Sequence, residues 1–167
     1  MPDKQTIEKA RADKRAGKSP STQAGEFVRA EIDKIRKGEH GARNTKQAIA
    51  IGLSEARRAG VDLPPPKKGR TSARTRKSAQ YAYAAAQGKR KTQRRPRVAR
   101  AVMNVLKHEP RSTASRAALS RQGREAASRR SAASRSAAAR KAARTKGVAG
   151  RSAAAKKAAR TRARRRG

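Results

Sequence analysis

The chain has 167 residues, with 47 Lys and Arg against 11 Asp and Glu and a formal net charge of +36. Hydrophobic residues make up 34%, most of them alanine, with one Phe, two Tyr and no Trp. Bulky apolar side chains are too few to offset the ordering entropy of the whole chain, which excludes a large core. So large a charge calls for a polyanion as partner.

Cysteine is absent, so disulfides, thiolate chemistry and cysteine zinc sites are excluded. No apolar run approaches the roughly 18 residues of a membrane span, so no membrane insertion is expected. The polar start Met1-Pro2-Asp3-Lys4 carries no apolar signal segment. The expected location is the cytoplasm, on the nucleoid if the source is bacterial.

Charge is divided unevenly. Residues 1–63 carry nine acids and 14 bases, whereas residues 64–167 carry two acids, Glu109 and Glu125, and 33 bases. Pro64-Pro65-Pro66 ends any helix and favours extended geometry. The proline run with its Lys67-Lys68-Gly69 extension, residues 64–70, therefore reads as a linker.

In chain order, residues 1–20 are a polar segment with a short helix near Ile7. A helical hairpin is expected over 21–63. Ser21 or Thr22 caps its first helix, whose Ala24, Phe27, Val28, Ile32 and Ile35 recur at helical spacing and which ends near Lys37 at Gly38. Asn44 starts the second, with Gln47 at capping-box spacing. Arg57, Arg58 and Gly60 suit its end. So small a pair points to self-association through 21–63 to bury its apolar faces.

Residues 71–110 read as a basic helical segment. One helix runs from Thr71 or Ser72 to Gln87 with Tyr81 and Tyr83, which read as packing residues before base stackers. A second runs from Pro96 to about His108, with Val98, Ala101, Val102, Val105 and Leu106 in an apolar stripe. Residues 111–167 form a tail of Ala, Arg, Lys and Ser. The predicted fold is mainly α: a small N-terminal helical hairpin followed by a long basic, partly disordered helical tail.

The tail repeats. Residues 135–145 recur as 151–161, a shift of 16, with ten of 11 positions identical and Arg140 replaced by Lys156. Arg140, Lys141 and Arg144, and again Lys156, Lys157 and Arg160, share a helical face. In one straight helix the second face would be turned by roughly 160° from the first. Gly147 and Gly150 between the copies predict two helices joined by a hinge. Like-charge repulsion is expected to keep both marginal until phosphate relieves it, so that they fold on binding.

The expected nucleic-acid contacts are Arg94, Arg95, Arg97, Arg129, Arg130, Arg135, Arg140, Lys141, Arg144, Arg151, Lys156, Lys157, Arg160, Arg162, Arg164, Arg165 and Arg166. Bases at this density track phosphate and carry little sequence information. Arg94-Arg95-Pro96-Arg97 reads as a helix start before a minor-groove hook, because the central Gly-Arg-Pro of such hooks is missing. Scarce aromatic side chains favour a duplex over a single strand. No P-loop, dinucleotide-binding or nucleophile motif occurs, and His40 and His108 lack companion ligands. No enzyme, cofactor or metal is therefore expected.

Ser19 to Val28, Gly41 to Gly60 and the Val-Asp-Leu-Pro-Pro-Pro-Lys-Lys-Gly of residues 61–69 resemble a family of small basic bacterial proteins of unknown function. That resemblance implies a histone-like, DNA-binding protein and assigns no site residues. The Ala/Lys/Arg tail is similar in composition to bacterial linker-histone-like tails. The expected function is sequence-nonspecific DNA binding that condenses or bridges DNA. An RNA- or ribosome-associated role, or an adaptor for an acidic partner, are the alternatives.

Overall fold

The computed structural model describes residues 3–89 and 95–164. They form α1 (Lys4–Arg15), α2 (Pro20–Lys37), α3 (Thr45–Arg58), α4 (Ala73–Ala86), α5 (Pro96–His108), a 3-10 turn (Ser112–Ala114), α6 (Arg116–Ser128) and α7 (Ala132–Ala163). The chain divides into two units, residues 1–122 and 123–167. The division falls inside α6 and not at the proline run.

Local chemistry accounts for the first unit's helix ends. Ser19 is the N-cap of α2, with Pro20 in its first turn, where a missing N–H costs nothing. The helix therefore starts just before the expected Ser21 or Thr22. It stops at Gly38, whose φ of 84° is open to glycine at little cost. At the start of α3, Asn44 Oδ1 accepts from the Gln47 N–H at 2.8 Å, and Gln47 Oε1 accepts from the Arg43 N–H at 2.9 Å. This is a capping exchange shifted by one residue from the reciprocal box.

The apolar faces of α2 and α3 meet, and other parts of the same chain cover them. Phe27, Ala24 and Ala56 are fully buried beside Ala10 of α1 and Val61 after α3. Gly52 sits where the helices come closest: a Cβ there would lie 2.7 Å from Val28 Cα. After the prolines α4 returns to pack on α3, burying Ala79 and Ala82. The Tyr83 hydroxyl donates to Asp62 at 2.6 Å. The proline run thus turns the chain back on the module.

A second cluster joins Ile32, Ile35, Ala42 and Ala48 to Ala114, with Val28 and Leu119 against it. Residues placed in the tail by sequence pattern therefore complete the N-terminal core. Backbone bonds fasten this return: the Gly41 N–H donates to Leu106 O at 2.7 Å and the Ala42 N–H to Pro110 O at 3.2 Å. Arg36 Nε donates to Ala114 O at 2.9 Å, and Thr45 Oγ1 to Thr113 O at 2.8 Å.

One ionisable pair lies inside this unit. Glu31 is 2% exposed, and its Oε1 stands 3.6 Å from Nε2 of His40, which is also buried. Burial pushes the Glu31 carboxyl above its ordinary 4.5; Glu55 and Glu39 add to the rise, while His40 and Lys34 oppose it. The folded chain then holds a proton that the unfolded chain has released. Stability is therefore fully present below about 4.5 and falls as pH rises through the raised value. Glu31→Gln is expected to flatten that fall in denaturant titrations across the acid range. A variant curve parallel to wild type would contradict the assignment.

The second unit overturns the expected partly disordered tail, because residues 123–164 are helical apart from a short break around Arg130 and Ser131 and a kink at Gly147. The notion that its helices fold only on binding falls with it. Alanine carries the least entropic cost of any residue in a helix. Ser131 also caps α7 by accepting from the Ser134 N–H at 3.2 Å. Repulsion, the expected obstacle, is spread around the helix: Arg135 and Lys146 fall on the side opposite Arg140, Lys141 and Arg144, at about 100° per residue.

Candidate nucleic-acid interface

The 16-residue repeat becomes two arms of α7. Gly147, with φ 64° and ψ −178°, interrupts the helical geometry between them. A side chain is strongly disfavoured at that combination, so glycine is what permits the kink.

Each arm presents the same arrangement. Arg140, Arg144 and Lys141 fall within an arc of about 100°, and Lys156, Arg160 and Lys157 repeat it one copy later. All six are exposed. The flanking details repeat as well: Thr145 Oγ1 donates to Lys141 O and Thr161 Oγ1 to Lys157 O, both at 3.0 Å. These hydroxyls turn inward onto backbone, leaving the cations as the outward chemistry of the face. The repeat also pairs Lys146 with Arg162, so the sequence held a signal for Lys146 that the expected contacts omitted.

Other predicted contacts hold partners within the second unit. Arg135 reaches back to Arg130 O at 2.8 Å, and Arg151 Nε donates to Gly147 O at 3.2 Å, over the kink. Arg129 forms an ion pair with Glu125. Arg130 reaches Ser134 through bonds of 3.4 to 3.5 Å. These four shape the helix ends while remaining exposed. Arg162 and Arg164 extend the second arm, and Arg164 is its C-cap.

Arg95 and Arg97 belong to the first unit, Arg95 as N-cap of α5 and Arg97 within its first turn. A helix start is therefore what their proline marks. Arg94, Arg165 and Arg166 lie outside the described residues. Arg100 and Lys107 share the polar side of α5 with Arg97, a grouping that follows the helical period and not the runs of bases. Tyr83 is engaged with Asp62, in keeping with a packing role.

Among the described residues no group of three or more acids and histidines is placed to hold a metal. None of their helices is long and apolar enough to cross a membrane.

Residues 11–68 match a family of unknown function, DUF6496. The match takes in the last five residues of α1, all of α2 and α3 and the proline run. It stops before α4, so neither arm of α7 lies within it. Nothing in the match describes a histone-like or DNA-binding family, and the resemblance is corrected to that extent. No curated protein and no solved structure matches the chain.

Proposed function

We propose that this protein binds nucleic acid through phosphate, with duplex DNA as the favoured form and little dependence on base sequence, and that it acts as an architectural component of the nucleoid. One observation carries the reading. After Glu125 the chain contains no further acid, and its helix presents the same exposed three-base face twice.

Such a face suits a phosphate backbone because the cations stand on adjacent turns, about 6 Å apart along the axis for residues four apart. Duplex DNA carries a charge every ≈ 1.7 Å of its axis, so many registers are equivalent and none is tied to a base. Slim alanine flanks let the helix approach closely. Two tyrosines, one phenylalanine and no tryptophan offer few platforms on which unpaired bases would stack.

Competition at matched salt between duplex DNA and structured RNA tests the choice of polymer. Duplex preference, with equal affinity for unrelated duplex sequences, is expected. RNA preference would move the function to transcripts or ribosomes.

A further inference from the structure

Among the described helices α5 is the most sharply two-sided, and its apolar side is largely uncovered. Val98, Val102 and Val105 are 53%, 52% and 62% exposed, and Met103 is 42% exposed. Leu106 is its one buried residue, at the end that receives the Gly41 N–H. At about 100° per residue, Ala101, Val105, Val98 and Val102 form one continuous apolar strip. Arg97, Arg100, Asn104, Lys107 and His108 fill the opposite arc. The helix contains no acid. The proposed DNA contact uses cations and leaves this strip unexplained.

Charge decides what fits the strip. A second copy would bring together two chains of +36 each over a strip of four small side chains, with no carboxylate in either helix to offset the repulsion. An anionic bilayer supplies what is missing: acyl chains for the valines, and headgroup phosphates level with the cations, which reach up along their own methylene stems. We infer that α5 is an interfacial helix that docks the protein on anionic lipid bilayers, lying in the headgroup plane with Val98, Val102 and Val105 inserted. This surface is separate from the α7 arms and stands whether or not those arms bind DNA.

The chain lacks tryptophan, so Val102→Trp in the full chain is a clean reporter. The probe is a vesicle of equal parts phosphatidylglycerol and phosphatidylcholine, at about 0.5 M salt, where longer-range attraction to the tail is screened. The emission of Val102→Trp is expected to move to shorter wavelength and to be quenched by brominated acyl chains. Asn104→Trp, on the polar side, is expected to show neither. Val98→Asp with Val102→Asp is expected to weaken partitioning about tenfold or more. The inference is overturned if the Val102→Trp signal stays that of water in the presence of the vesicles. It is equally overturned if the shift occurs without vesicles and grows with protein concentration, which would identify a second copy as the occupant.

Discussion

Replacing Arg140, Lys141, Arg144, Lys156, Lys157 and Arg160 together by glutamine is expected to lower duplex affinity on the order of a thousandfold at about 0.15 M salt. The dependence of log affinity on log salt should become shallower by about five, since each neutralised phosphate contributes a slope of about −0.9. Glutamine keeps helix propensity close to that of Arg and Lys, so circular dichroism of the variant should match wild type. Matching six exposed lysines and arginines elsewhere in the chain, such as Arg74, Arg76 and Lys77 of α4 with others of the first unit, gives the control. Equal losses from both sets would mean that charge acts only in bulk and that the repeated face has no special place.

Gly41→Ala is expected to produce the largest single-residue loss of stability. A Cβ at this position would overlap the carbonyl oxygen of Glu109 and crowd its carbon, both of them backbone atoms that cannot swing aside. Relief requires separating the 41–42 and 106–110 segments, which breaks the bonds to Leu106 O and Pro110 O and lifts Ala114 from the second core cluster. Overpacking of this kind costs about 1 to 3 kcal/mol, and the loss of two buried backbone bonds adds to it. A thermal or denaturant melt reads the effect. A variant within about 0.5 kcal/mol of wild type would show that the return segment is not held as described.

Much of the first unit was legible because its helices are punctuated. Gly38, Asn44 with Gln47, Ser72 and Pro96 each act through their own backbone chemistry, and the structure uses each of them. The alternation that placed Phe27, Ile32 and Ile35 on one face also survives, since Phe27 and Ile35 are fully buried. What covers that face was not legible. Self-association was expected from the small size of the hairpin, yet α1, α4 and the 3-10 turn supply the cover within one chain. Ala114 and Leu119 stand in a stretch whose composition resembles the tail, and pairing across some 70 residues leaves no periodic trace.

The helicity of the tail is hidden in the sequence for a different reason. Charge density over the whole segment argues against a helix, whereas repulsion acts between near neighbours on one face. Alanine propensity, the Ser131 cap and the hydroxyl bonds of Thr145 and Thr161 act locally too. The hinge between the repeat copies, by contrast, was readable: rotation of the basic face over 16 residues required a break, and Gly147 is the residue there with positive φ.

The central claim rests on phosphate neutralisation by the full chain, and the salt dependence of its binding to a random-sequence duplex tests it most directly. If about ten contacts form, log affinity should fall with log salt at a slope near −9, with the same value for unrelated duplex sequences. A nearly flat salt dependence, or no measurable binding at low salt, would contradict it.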